Sequence, residues 1–208
     1  MSSNGIIDRL RVGVIGAGSR GNAYARAVHV SKEATIALIA EPIAFKRQQF
    51  GRQYIWGQDK QRLEDQEFVS WKDYLRYENE RREKQAAGQK VSPGLDAIFI
   101  CTLDHTHVEI ITSLAPLGIN LMCEKPLATT LQDCVQIYRS LSPPAGEGTN
   151  TVFSIGHVLR YSPHNILLRK LLLEDDAIGD ILSIEHTEPV GYWHFAHSYV
   201  RYIYPETT

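Results

Sequence analysis

The sequence predicts an α/β fold built on a doubly wound parallel sheet. Five short apolar runs without polar alternation are separated by stretches of helical spacing, the pattern of strands covered on both faces. The first run opens directly into Gly16-Ala17-Gly18-Ser19-Arg20-Gly21, a strand, glycine turn and helix in succession. The second run ends on an acidic residue, Glu41.

Taken in order, strands are expected at 11–15, 35–40, 95–101, 120–124 and 151–156, with helices near 21–30, 42–53, 70–88, 106–117 and 130–140. Thr130-Leu131-Gln132-Asp133 has the spacing of a capping box and marks a helix start. Ser162-Pro163 marks another, with Ser as cap and Pro in the first helical position. Two segments read as insertions. Tyr77 to Lys90 is charged on all sides and is expected to be a solvated helix extension. Ser142 to Asn150 is rich in turn formers and reads as a surface loop.

Composition narrows the function classes. The 208 residues carry 22 Lys+Arg against 24 Asp+Glu, a formal charge of −2. That leaves no electrostatic footprint for nucleic acid or anionic lipid. No apolar stretch is long enough to span a bilayer, and the opening MSSNGIIDRLR has no secretory pattern. Cys101, Cys123 and Cys134 lack metal-ligand spacing, so no metal is expected. They read as reduced packing thiols, which points to the cytoplasm.

The glycine turn has a specific chemistry. Gly16 permits the tight turn, Gly18 lets a pyrophosphate approach the backbone, and Gly21 lets helix pack on strand. The unpartnered N–H groups of the following helix suit a phosphate pair. Ala17, Ser19 and Arg20 complete the expected cofactor cradle. Glu41, 20 residues after Gly21, is placed to accept bonds from the adenosine ribose hydroxyls. Its charge would repel a 2′-phosphate, which favours NAD. Arg20, Lys46 and Arg47 could each reach such a phosphate, so NADP stays open. S-adenosylmethionine also binds at a glycine turn with a ribose-binding acid, and Glu124-Lys125-Pro126 at a later strand end speaks against it.

Ligands of an open parallel sheet bind beyond the carboxyl ends of its strands. Cys101 to His107 and Glu124-Lys125-Pro126 both follow strands, so three loops converge at one edge. These residues, together with Arg20-Gly21, Glu41-Pro42, Arg160-Tyr161-Ser162-Pro163 and Ile178-Gly179-Asp180-Ile181, resemble the glucose–fructose oxidoreductase, inositol dehydrogenase and rhizopine-catabolism family (Gfo/Idh/MocA). The resemblance runs to about residue 200. It implies a Rossmann domain and a nicotinamide-dependent oxidoreductase acting on a sugar, polyol or related carbonyl compound. It places Lys125 beside the nicotinamide and the substrate carbinol as a catalytic group. His105 is implied near the nicotinamide as a second catalytic residue, and Thr102, His105, Glu124 and Lys125 in the cofactor site. A cis Lys125–Pro126 bond is also implied. Arg160 and Tyr161 could contact substrate or hold the domain junction.

The resemblance divides the chain into an NAD(P)-binding Rossmann domain at 6–158 and, at 159–208, the start of an incomplete α+β substrate and oligomerisation domain. Ile181 to His186 is expected to be the first strand of that second domain, and Gly191 to Arg201 its next loop. His194 and His197 read as loop residues. The Asp and His that the family places further on have no counterpart here. The alternative is therefore a catalytically inactive NAD(P)-binding regulator, or a truncated fragment lacking the downstream Asp/His catalytic motif. Homo-oligomers are implied by resemblance through the same incomplete domain.

Overall fold

A computed structural model of the protein describes residues 9–58, 62–142 and 151–196. Six strands form one sheet: β1 (Leu10–Ile15), β2 (Ala34–Ala40), β3 (Glu67–Phe68), β4 (Ala97–Ile100), β5 (Asn120–Cys123) and β6 (Phe153–Ile155). Their order is β3-β2-β1-β4-β5-β6, and every pairing is parallel. The order reverses between β1 and β4, the switch point at which such sheets bind ligands.

Helices link the strands: α1 (Ser19–Ser31), α2 (Ala44–Tyr54), α3 (Trp71–Ala86), α4 (His107–Leu114) and α5 (Leu131–Leu141). Side chains alternate across each strand, so two apolar layers form. Ile15, Leu38, Ala40, Ile98, Ile100 and Leu121 belong to one, with Tyr74 and Ile110 from the helices. Val12, Val14, Ile36 and Ile39 belong to the other, with Ala25, Phe50 and Trp56. Both sheet faces are therefore covered, which is why the strands lack polar alternation.

Several expectations needed correction. The sequence pattern did not reveal β3, because two residues are too short to show a period. It exists through its pairing with β2, Ile39 opposite Glu67 and Ala40 opposite Phe68. The expected helix at 106–117 is α4 flanked by 3-10 turns at Asp104–Thr106 and Ala115–Leu117. The expected capping box at Thr130 holds on one side: its hydroxyl accepts the Asp133 N–H at 3.1 Å. Ser70 and Asp73 form a complete box at the head of α3.

The charged stretch after Tyr77 is not solvated all round. Glu78 is 1 % exposed and accepts from Arg81 Nε at 2.7 Å, Arg81 Nη2 at 2.8 Å and Arg82 Nε at 2.7 Å. Spacings of three and four residues put these groups on one helix face, where a buried carboxylate needs such partners.

The chain divides into two compact units between His157 and Val158. In the second, a 3-10 turn at Val158–Tyr161 precedes α6 (Pro163–Leu173), and a short α7 (Tyr192–Phe195) follows. Residues 181–190 have no regular secondary structure, against the strand expected at Ile181–His186. A strand requires a neighbour to pair with, and none of the sheet pairings reaches this segment. Most of the expected loop at 142–150, as well as His197 and the stretch to Arg201, lies outside the described residues. No helix among the described residues is long and apolar enough to cross a membrane.

Candidate cofactor site

The strand ends are level. Phe68, Ala40, Ile15, Ile100, Cys123 and Ile155 form one register row across the sheet. The next residues continue that row by backbone bonds: Glu41 N–H to Phe68 C=O at 3.1 Å, Gly16 N–H to Ala40 C=O at 2.9 Å, Cys101 N–H to Ile15 C=O at 2.8 Å, Glu124 N–H to Ile100 C=O at 2.9 Å and Gly156 N–H to Cys123 C=O at 2.7 Å. The glycine turn, Glu41, the Thr102 loop and the Glu124-Lys125 loop thus leave the sheet at one rim.

The glycines differ in what they permit. Gly16 has φ +97°, and a Cβ there would stand 2.6 Å from the Cys101 carbonyl oxygen. At Gly21 a Cβ would collide with the Gly16 carbonyl oxygen, so this glycine seats α1 against the turn. Gly18 is the N-cap of α1, and nothing lies within 4 Å of where its Cβ would be. Its lack of a side chain opens space above the first amides of the helix, as a pyrophosphate requires. Ser19 and Arg20 are exposed beside it. Asn22 holds the turn from behind, its Nδ2 donating to the carbonyls of Ala17 and Gly18, both at 2.9 Å.

Glu41 is only 6 % exposed. Its carboxylate accepts the Ala17 N–H at 2.8 Å and the Ile43 N–H at 2.9 Å. It therefore braces the turn, and each oxygen keeps a further lone pair for a hydroxyl donor. The Ala17 N–H, expected in the cradle, is committed to Glu41. Arg47 is a correction. Expected to be able to meet a 2′-phosphate, it is instead buried, with Nε donating to Glu67 at 2.7 Å and Nη1 to the Glu41 carbonyl at 2.5 Å. Its long side chain folds inward because β3 presents a carboxylate there.

Across the switch point, Thr102 Oγ1 accepts from Thr106 Oγ1 at 2.8 Å. His105 is exposed in the Asp104–Thr106 turn. His107 is 1 % exposed, with Nδ1 3.0 Å from the Pro126 carbonyl oxygen and Nε2 3.3 Å from that of Thr102. It ties together the two loops that follow β4 and β5. The Lys125–Pro126 bond is cis, as the resemblance implies, and Lys125 is exposed.

Glu124 is buried beneath this rim. The Tyr24 hydroxyl of α1 donates to its Oε1, and the Lys125 N–H to its Oε2 at 3.3 Å. Tyr24 also packs edge-on against Phe99. Burial raises the Tyr24 phenol above its ordinary range, and the bond to Glu124 and that residue's charge raise it further. The phenol stays a donor. Burial likewise pushes the Cys123 thiol up to about 12, with the charge of Glu124 adding to the effect. Cys101 is raised by the same two causes. The cysteines are free thiols, and these two stay protonated as packing groups. Arg160 and Tyr161 are exposed residues of the second unit. Asn22, Tyr24 and His107 as supports were missed by sequence reasoning. Asn22, four residues after Gly18 at a helix start, carried the one local signal.

An adenine dinucleotide fits this donor set: open space over Gly18, free helix amides, and a carboxylate within the turn. Comparison with known proteins agrees. Residues 10–143 match the family described as "Oxidoreductase family, NAD-binding Rossmann fold". A 2,7-anhydro-N-acetylneuraminate hydratase of Mediterraneibacter gnavus is 31% identical over 88 residues, 42% of this chain and 22% of that protein. An inositol 2-dehydrogenase of Saccharopolyspora erythraea is 32% identical over 87 residues, 42% of this chain and 24% of the relative. A crystal structure of scyllo-inositol dehydrogenase from Lactobacillus casei, with bound NAD(H) and scyllo-inositol, superposes with a TM-score of 0.64 at 16% identity. It matches 84% of this chain and 43% of its own, so the chain spans less than half the length of that relative. With the level rim, the glycine turn and the sequence match over residues 10–143 in agreement, the chain belongs to the Gfo/Idh/MocA oxidoreductase family, whose cofactor domain is an NAD-binding Rossmann fold.

Proposed function

We propose that the chain carries the cofactor-binding part of an NAD-dependent oxidoreductase acting on a CH–OH group of a sugar or polyol. The observation that supports this most is the register row that brings the glycine turn, Glu41 and Glu124-Lys125 to one rim. NAD, when bound, supplies the carbon that accepts or returns hydride.

The residues then take distinct parts. The first amides of α1 and the space over Gly18 hold the pyrophosphate. Glu41 accepts from ribose hydroxyls while bracing Ala17. Lys125 bonds the substrate oxygen. As hydride leaves the carbinol carbon, the hydroxyl proton passes to the Lys125 amine, and the reverse reaction returns both. An ammonium beside a developing alkoxide stabilises it. His105 lies on the neighbouring loop and lines the nicotinamide side. The sugar or polyol class rests on the relatives, since an inositol dehydrogenase is among them. The free, protonated cysteines accord with a cytoplasmic setting.

The test is a titration of the chain with NADH, followed by nicotinamide and protein fluorescence. Saturable binding is the expected result. No change up to about millimolar cofactor, roughly −4 kcal/mol of affinity, overturns the reading. Lys125→Ala, at an exposed position, keeps the melting temperature and NADH affinity but loses polyol oxidation. Retained turnover in that variant removes Lys125 from the chemistry.

A further inference from the structure

We propose that Glu67 sets the dinucleotide preference by sequestering Arg47, a cation that could otherwise meet the 2′-phosphate of NADP. The inference rests on the assignment of the Glu41 rim to the adenosine ribose. Arg47 sits in the first turn of α2, its N–H bonded to the Ile43 carbonyl at 3.0 Å, so its backbone stands directly after the loop that Glu41 begins. An arginine near the ribose acid accommodates a 2′-phosphate in sheets of this kind. Its guanidinium suits a phosphate bidentately.

Here that guanidinium is turned beneath the loop. Nη1 donates to the Glu41 carbonyl and, at 3.3 Å, to that of Pro42. Nε donates to Glu67 Oε1 at 2.7 Å. Two further contacts hold Glu67 in place. Its backbone pairs with Ile39 of β2, and its second oxygen accepts from Arg62 Nη1 at 2.7 Å. Arg47 is 9 % exposed, and a charge at that depth requires a counter-charge. Glu67 is the carboxylate in contact with it. Without that charge the guanidinium, already seated against the Glu41 and Pro42 carbonyls, loses the counter-charge that favours its place beneath the loop and has reason to turn out to water. The buried pair thus removes a phosphate ligand from the rim, while Glu41 repels the phosphate directly. Lys46, next to Arg47, and Arg20, in the glycine turn, are exposed cations also offered to a 2′-phosphate by the sequence, so the test must separate their contribution.

Glu67→Gln keeps the size of the side chain and removes its charge. NADH and NADPH affinities of the full chain are measured by fluorescence titration, with a thermal melt of each variant. The expected result is a NADPH affinity about tenfold higher relative to NADH, the scale of one charged phosphate contact. The gain should vanish in Glu67→Gln/Arg47→Met. An unchanged ratio in a cooperatively melting Glu67→Gln overturns the proposal. So does an equal gain in the double variant, which would trace to the lost negative charge or to Arg20 and Lys46. Arg47→Met alone tests the same point if Glu67→Gln does not fold. The ratio should stay at the wild-type value, because Arg47 does not face the 2′ position, and a fall in NADPH affinity relative to NADH overturns the proposal. Failure of the unaltered chain to bind NADH is a separate result, which removes the ribose-site assignment itself.

Discussion

His107 Nδ1 stands 3.0 Å from the carbonyl oxygen of Pro126, 19 residues away along the chain. The imidazole is the first residue of α4 and is almost wholly buried. The loop that carries Lys125 is therefore held by a helix on the neighbouring side of the sheet. His107→Ala leaves a void and removes the imidazole N–H donor that faces the loop carbonyls, which is expected to cost roughly 2–4 kcal/mol of stability. Urea denaturation checks the loss. NADH affinity should fall with it, because the loops after β4 and β5 lose their tie.

The two glycines at the head of α1 are expected to fail in different ways. Gly18→Val places its side chain in open space and should keep the wild-type melting temperature, while NADH binding weakens by at least about tenfold, ~1.4 kcal/mol. Gly21→Ala drives a Cβ into the Gly16 carbonyl and should lower the melting temperature itself. Paired melting and NADH titrations separate the two effects. Equal NADH affinity in Gly18→Val contradicts the assigned phosphate position.

Tyr24→Phe removes the hydroxyl that donates to buried Glu124. An under-bonded buried carboxylate is expected to cost about 1–3 kcal/mol. The edge contact with Phe99 survives in this variant, so the loss reports the hydrogen bond alone. Guanidinium unfolding of the two proteins measures it.

Glu78 makes the stability of the fold depend on pH. Burial alone would raise its carboxyl, but the hydrogen bonds and charges of Arg81 and Arg82 outweigh this and hold it below the usual carboxylate range. A depressed folded value means the contribution is complete above the ordinary carboxylate pKa. It is lost as pH falls from there through the folded value. Glu78→Gln is expected to lose about 3 kcal/mol at neutral pH, since it strands Arg81. Its stability curve should also be flatter on the acid side. Melting temperatures measured from neutral to acid pH provide the comparison.

The glycine turn, the acid ending β2 and the Glu124-Lys125-Pro126 segment were legible because local backbone demands fix their residue types. A tight turn asks for Gly16, and close helix packing asks for Gly21. What stayed hidden depends on partners far apart in sequence. Tyr24 meets Glu124 across 100 residues, and nothing in either segment announces the other. The inward turn of Arg47 depends on Glu67, and Glu67 lies in a strand visible only once β2 is beside it. Glu78 misled for another reason. A helix of like composition all round looks solvated until its spacing is converted into pairs on one face.

The sheet tapers to two residues at β3 and three at β6. A strand arriving from another molecule would find one or two backbone groups to bond at either margin, too few to offset the ordering of its own chain. Intermolecular extension of the sheet therefore ends where it begins. This built-in brevity guards against fibre-like assembly at both margins.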